Sequence, residues 1–411
     1  MLPPPAPPSS LPRRRRVLVI GAGFAGAHLA IDLAARGGLD VTLVDRKPYF
    51  EVVFANARAL VEPAVCERSV IGVEELKPHG TFVCGEVVSL TDREAALADG
   101  RKLPFDYAAV CTGSAQALWK GDARGVGERR EELRAQHAAL RAAPAVVVVG
   151  GGPLGVELAG EILTDLPGKP VVVVHSGPRL LQDLPCRAGA LARGWLEAHG
   201  CKVLLNDRVA AAAEPPGAAK GGEHGGGGIG QDGDGKSGGG GGARALRTER
   251  GEELPAGALL LWAVGARPAT GFAAPALGGA VGEDGLIKVS GTLQVEGHPH
   301  IFALGDACSI PESKLAFLAT GHAGVAARNI AALAAADAAA DGGGGGGGAG
   351  APQLAEWRPG MGLPRLMLVT VGRSWGITAI GSVAVGGWLA SRVKSIAGFV
   401  EKTRRAVCAA P

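Results

Sequence analysis

The sequence predicts an α/β protein with two three-layer domains, and three observations carry that prediction. Residues 17–20 form a short apolar run, followed by a Gly-rich turn, an apolar helix pattern and a second run at 41–44 that ends in Asp45. Residues 146–149 start the same succession again, through a helix over 154–164 and a strand at 171–174 ending at His175. Short β-branched runs flanking a helix belong to strands buried on both faces, as in parallel βαβ units. The third observation is size and composition: 411 residues, 47% hydrophobic and 20% charged, enough for two or three cores at roughly 150 residues per domain.

Charge and aromatic content exclude whole classes of partner. Lys plus Arg is 42 and Asp plus Glu is 39, a net charge of +3, too balanced for a protein that holds a phosphate backbone. Aromatic residues make up 4%, leaving few platforms for stacking single-stranded bases. No nucleic-acid partner is expected.

The elements follow in order. The opening stretch MLPPPAPPSSLPRRRR has no apolar core of a secretory signal, and Leu follows Met1, so the Met-Gly of a myristoylation site is missing. Residues 1–15 read as a disordered basic, Pro-rich terminus. The chain has no charge-free run of 18 apolar residues that would span a bilayer. A cytoplasmic protein, or one peripheral on an intracellular membrane, is expected, with organelle import open but not indicated. Seven cysteines, at 66, 84, 111, 186, 201, 308 and 408, form no CxxC or CxxxxC pair, which reads as buried thiols in a reducing compartment. His298-Pro299-His300 reads as the start of a strand, and no metal site is expected.

The first Gly-rich turn is Gly21-Ala22-Gly23-Phe24-Ala25-Gly26. Gly21 permits a tight turn, Gly23 lets backbone approach a pyrophosphate, and Gly26 lets helix and strand pack closely. The helix start at Phe24 and Ala25 then presents free N–H groups and a positive dipole end. Asp45, at the tip of the second strand, is placed to hold ribose hydroxyls. These are the parts of a Rossmann dinucleotide site.

The second turn, Gly150-Gly151-Gly152-Pro153-Leu154-Gly155, is followed by Val156-Glu157. Its second strand ends in Val174-His175 without an acid. With His175, Ser176 and Arg179 nearby, NADPH is admitted as well as NADH. Tracts 214–243 and 336–351 are too poor in apolar groups to offset ordering entropy. They read as a flexible insertion, decorating a hairpin of 202–209 with 243–248, and as a linker.

Further motifs make the proposal specific. The Thr112-Gly113 turn follows a strand at 107–111, and Gly265 follows another at 259–264. In flavin-dependent pyridine-nucleotide oxidoreductases such segments mark the crossings between FAD and NAD(P) domains. Ile301-Phe302-Ala303-Leu304-Gly305-Asp306-Ala307 resembles the second FAD signature of that superfamily, in which the aspartate holds the ribityl chain. Together with Leu293-Gln294-Val295-Glu296-Gly297-His298, Lys314-Leu315-Ala316-Phe317-Leu318-Ala319 and Gly321-His322-Ala323, the chain from Val17 to Ala406 resembles the ferroptosis suppressor and apoptosis-inducing-factor-like flavoproteins.

That resemblance implies a membrane-peripheral NAD(P)H:quinone oxidoreductase with bound FAD. It places Glu157 beside the nicotinamide and Lys314 near the flavin and its acceptor as catalytic groups. It adds Arg46, Arg58, Val87, Ala316 and Phe317 to the cofactor set. It divides the chain into an FAD domain (16–114 and 267–335), an NAD(P) domain (115–266) and a C-terminal α+β segment (352–411). Disulfide reductases of the superfamily carry CxxxxC after the first βαβ unit, where this chain has Cys66 alone. Electrons therefore pass from the flavin directly to a quinone or another small acceptor. A reductase of a small electron carrier or of monodehydroascorbate, and a non-turnover NAD(P)H sensor, are the competing readings. The tail from Trp375 to Ala406 reads as a strand over 377–385 and a helix over 388–393 packed on the FAD domain. Its last basic turns are open to an anionic lipid interface.

Overall fold

The computed structural model describes residues 13–115, 124–210, 246–341, 351–362, 365–394 and 396–409. The insertion 214–243 lies outside the described residues, as do 342–350 of the linker; 336–341 continue a helix. In chain order the first elements are β1 (Arg15–Ile20), α1 (Phe24–Arg36), β2 (Leu39–Asp45), α2 (Asn56–Val61), β3 (Thr81–Cys84), β4 (Tyr107–Val110) and α3 (Val126–Ala142). Next come β5 (Val146–Val149), α4 (Pro153–Asp165), β6 (Val171–His175), α5 (Cys186–Ala198), β7 (Lys202–Leu205) and β8 (Leu259–Trp262). The chain closes with β9 (Gln294–Val295), β10 (His298–Ala303), α6 (Ala316–Asp341), β11 (Leu366–Val371), β12 (Trp375–Ile380), β13 (Val383–Gly387), α7 (Trp388–Val393) and α8 (Ile396–Val407).

These elements form two compact units. The first comprises 1–46, 76–114 and 268–361, and the second 47–75, 115–267 and 362–411. The sheet of the first unit has the order β9-β10-β4-β1-β2-β3. It is parallel except for β9, and Val17 stands opposite both Val41 and Tyr107. Val17 to Ile20 are all buried, which requires cover on both faces and so a three-layer build. Leu29 and Leu33 of α1, Ala326 and Ile330 of α6, and Leu90 and Leu97 of an antiparallel ribbon share that core.

The second unit holds an all-parallel sheet in the order β7-β6-β5-β8. Its β5 shows the two-residue period of a strand directly. Val146 and Val148 join the core with Val156 and Ile162 of α4, whereas Val147 and Val149 join the opposite core with Leu254 and Leu260.

Segment 47–75 and the tail are distributed differently from the sequence reading. Helix α2 packs on α3 and α4 and buries Ala57, Leu60 and Val61 in the second unit. The tail divides. Trp357 joins the first core, while the β11-β12-β13 meander buries Val369, Val371 and Ile377 against α4. Gly160 is the local reason for that docking, since a Cβ there would lie 2.6 Å from Gly372 N and 2.9 Å from Val371 Cα. A helix-interior glycine costs about 1 kcal/mol against alanine; here it lets a strand reach the helix backbone.

Candidate functional site

Both Gly-rich turns are built alike. Gly21 has φ +104° and its N–H donates to Val44 O at 2.7 Å; Gly150 has φ +117° and its N–H donates to Val174 O at 2.8 Å. A Cβ at Gly21 would stand 2.6 Å from Cys111 O, and one at Gly150 2.5 Å from Ala263 O. At the third glycines a Cβ would fall 1.7 Å from Gly21 O for Gly26 and 1.9 Å from Gly150 O for Gly155. The middle glycines are different: a Cβ at Gly23 or Gly152 would meet nothing within 4 Å. Each caps a helix with no side-chain hydrogen bond to the cap, leaving first-turn N–H groups available. Pro153 opens α4 at the position where a missing N–H costs nothing. Open backbone at a helix N-terminus fits a pyrophosphate in both units.

The strand tips close the turns. Asp45 Oδ2 accepts the Ala22 N–H at 2.7 Å, and His175 Nδ1 accepts the Gly151 N–H at 3.1 Å. With Nδ1 accepting, the ring proton sits on Nε2, 3.0 Å from the Gln182 amide group, which accepts it through Oε1 when that amide is turned over. Burial pushes the His175 pKa below its ordinary value, so the imidazole is neutral at pH 7. The Arg179 guanidinium donates to the carbonyls of Leu181 (3.1 Å), Leu184 (2.9 Å) and Gln182. It braces the turn after β6.

In the first unit, Thr112 Oγ1 donates to Ala269 O at 2.7 Å, and the Ala269 N–H donates to Gly113 O at 2.9 Å. Gly113 takes φ +65° there. Asp306 accepts Ser114 Oγ at 2.8 Å. Lys314 Nζ donates to the carbonyls of Cys308 (2.7 Å) and Ile310 (3.3 Å), so its ammonium stiffens the segment after the Gly305-Asp306 turn. Ala316 begins α6, and Phe317 beside it is 50% exposed. Val87 starts the antiparallel ribbon, and Arg46 is exposed just beyond β2.

In the second unit, Glu157 is buried on the first turns of α4. Its Oε1 accepts the Thr370 N–H at 3.2 Å and Thr370 Oγ1 at 3.3 Å, and Lys394 Nζ pairs with the same oxygen. Arg58 from α2 donates to Glu161 at 2.7 Å and lies 3.5 Å from Asp165. Burial raises the Glu161 carboxyl to a pKa of about 7, with Asp165 and Glu157 adding to the rise and Arg58 opposing it. Gly265 lies in the loop after β8 with open space at its Cβ position. Lys394 was missed by sequence reasoning. The one local signal was Gly160, an interior helix glycine that marks close approach of another segment.

Two Gly-rich turns of the form that fits a pyrophosphate, on separate sheets, one closed by an acid and one by a histidine, point to a class: proteins that hold two dinucleotides. The chain belongs to the pyridine nucleotide-disulphide oxidoreductase family, which it matches over residues 15–327. It is 27% identical to ferroptosis suppressor protein 1 of Xenopus tropicalis over 394 residues, 94% of each chain. It is 28% identical to apoptosis-inducing factor homolog B of Dictyostelium discoideum over 330 residues, 78% of this chain and 81% of the relative. The resemblance read from the motifs is thus borne out.

Two solved structures share the fold at low identity. The sulfide:quinone oxidoreductase of Aquifex aeolicus matches with a TM-score of 0.69 and 17% identity, over 95% of this chain and 92% of that one. NDH2 of Plasmodium falciparum in complex with NADH matches with a TM-score of 0.66 and 13% identity, over 96% of both. The protein is an NAD(P)H-dependent flavoprotein oxidoreductase whose cofactors are FAD and NAD(P)H.

Proposed function

We propose that the protein is an NAD(P)H:quinone oxidoreductase, with the Gly21–Gly26 unit holding FAD and the Gly150–Gly155 unit receiving the nicotinamide dinucleotide. When bound, these cofactors supply hydride transfer from nicotinamide to flavin and two-electron delivery to the acceptor. Gly21, Gly23 and Gly26 open the first pyrophosphate cradle, and Asp45 takes the ribose hydroxyls. Gly150, Gly152 and Gly155 do the same for the second dinucleotide. The neutral His175 leaves room for a 2′-phosphate. Thr112, Gly113, Asp306, Ala316, Phe317, Val87, Arg46, Arg58, Arg179 and Gly265 complete the proposed cofactor set. In this set Arg58 and Arg179 act through the turns and helices they brace.

Glu157 borders the nicotinamide side in this reading, and Thr370 and Lys394 hold its carboxylate in one orientation. Lys314 positions the segment that follows Asp306. Cys66 is buried, and its thiol is pushed up by burial. With no second cysteine at CxxxxC spacing, no thiol pair intervenes between flavin and acceptor.

The observation that carries the quinone is an apolar surface in the second unit. Val383 and Val385 are 61% and 49% exposed on either side of the buried Ala384, and Trp388, Leu389 and Val393 on α7 are at least 49% exposed. Arg392 lies beside the Trp388 ring, and Lys402 and Arg405 are exposed on α8. Exposed apolar side chains with Arg392 among them, and further cations on the following helix, suit an anionic lipid surface, where a lipid-soluble quinone is dissolved. No helix among the described residues is long and apolar enough to cross a membrane.

Steady-state turnover with NADPH and a short-chain quinone tests the reading, with monodehydroascorbate and ferricyanide as rival acceptors. Glu157→Ala and Lys394→Ala are each expected to slow flavin bleaching by NAD(P)H about tenfold or more while FAD stays bound. Bleaching at the unmodified rate in both variants removes the pair from the site.

A further inference from the structure

The turn that carries Asp306 is held from behind by a buried cluster of polar side chains. The Gly305 N–H donates to His322 Nδ1 at 3.0 Å. Because Nδ1 spends its lone pair on that N–H, a neutral ring must carry its proton on Nε2. Nε2 lies 2.8 Å from Glu312 Oε1, within ion-pair distance but off hydrogen-bond alignment. The other oxygen, Glu312 Oε2, accepts Trp357 Nε1–H at 3.1 Å and the Gly360 N–H at 2.7 Å. The His322 and Glu312 side chains are only 2% and 6% exposed. Trp357 stands edge-on to the imidazole with ring centroids 4.6 Å apart. Gly321 makes room for the indole, since a Cβ there would come within 2.6 Å of it.

The donor count fixes the chemistry of every member. Glu312 faces three donors with two oxygens, which suits an acceptor-only carboxylate. A glutamine would turn its NH₂ either toward the His322 Nε2–H or toward the Trp357 and Gly360 N–H groups, setting donor against donor in both cases. If the amide drove the imidazole to its other tautomer, Nδ1–H would confront the Gly305 N–H. Burial also pushes the His322 pKa down, with Lys314 adding to the fall while Glu312 and Asp306 oppose it. The neutral ring with its Nδ1 lone pair accepting the Gly305 N–H is therefore the stable form. Gly305 itself takes φ +65°, and its carbonyl accepts Cys308 Sγ at 3.2 Å. The backbone is thus gripped on both sides of the residue preceding Asp306.

We infer that His322, with its tautomer set by Glu312 and Trp357, is a positioning residue for the flavin site: it fixes the Gly305 N–H and so the direction in which Asp306 presents its carboxylate. The inference rests on the reading that Asp306 touches FAD. It assigns work to a buried His–Glu pair that hydride transfer does not itself use.

The test is FAD affinity and flavin midpoint potential in the full-length protein, titrated with FAD, for four variants. Asp306→Asn checks the reading underneath: wild-type FAD affinity in that variant would remove the turn from the flavin site. Given weakened binding there, Glu312→Gln and His322→Leu are each expected to weaken FAD about tenfold or more, the scale of one unmade buried hydrogen bond. Each should also shift the potential. His322→Asn, whose Oδ1 can replace Nδ1 as the acceptor, is expected to stay within about threefold of wild type. A packing role predicts the reverse order, with the larger, apolar leucine tolerated better than asparagine. That order, or unchanged affinity and potential in Glu312→Gln, overturns the inference. Should His322→Leu fail to fold, the near-isosteric Glu312→Gln decides alone.

Discussion

The two glycine-rich turns are nearly superimposable in their backbone chemistry, yet their surroundings part company within a few residues. Both end their second strand by binding the N–H of the residue after the first glycine, Ala22 in one and Gly151 in the other. The group that does so is a carboxylate in the first unit and an imidazole in the second. Helix α1 continues with His28, bonded to Phe24 O, and Asp32, paired with Arg36 near the surface. At the matching positions α4 carries two buried acids, Glu157 and Glu161. In the proposed function the scaffold fixes where a pyrophosphate goes, and the strand tip and the helix face are what distinguish one dinucleotide site from the other.

The sharpest way to break this comparison is to fill the third glycine of each turn. Gly26→Ala and Gly155→Ala drive a methyl group into a carbonyl oxygen and should each cost about 3 kcal/mol or more locally. Gly26→Ala is expected to yield protein without flavin, whereas Gly155→Ala should remain yellow and lose its response to NAD(P)H. Absorbance spectra before and after NADPH separate the two, and the reverse pattern would exchange the assigned roles.

A second test concerns the helix faces. A carboxyl raised from its ordinary value to about 7 by burial stabilises the fold fully below about pH 4.5, and loses that contribution as pH rises through 7. The loss amounts to about 3 kcal/mol. Thermal unfolding should therefore show a declining midpoint between pH 5 and 8 that Glu161→Gln flattens. An unchanged slope would mean that Glu161 is not the group responsible. The smallest effect is expected at the strand tip. His175→Asp should lower kcat/KM for NADPH relative to NADH about tenfold, and equal losses for both coenzymes would exclude the strand tip from 2′-phosphate selection.

The parts of the site that were legible in the sequence are those written locally. Gly21 and Gly150 must take positive φ, Gly26 and Gly155 must admit a carbonyl, and β-branched runs must lie in parallel strands, so residue identity and spacing state the geometry almost completely. Lys394 beside Glu157, Trp357 under Gly321, and α2 on α4 were not legible. Each joins segments far apart in the chain, and such pairings are selected by which apolar faces remain uncovered once the sheets form. The assignment of 47–75 to the second unit is of this kind: Ala57, Leu60 and Val61 bury against α4, and nothing within that short helix names its partner. The interior glycines Gly160 and Gly321 were the available hints, since each gives up helix propensity where another segment must come close.

The bond between Glu157 and Lys394 spans 237 residues. On a ribosome adding roughly 5–20 residues per second, the carboxylate emerges on the order of ten seconds or more before its cation is made. Throughout that interval helix α4 must either keep the acid hydrated or bear it desolvated and unmatched. The second unit therefore reaches its final packing only after the β11-β12-β13 meander and α7 have been made, and its maturation is timed by their arrival.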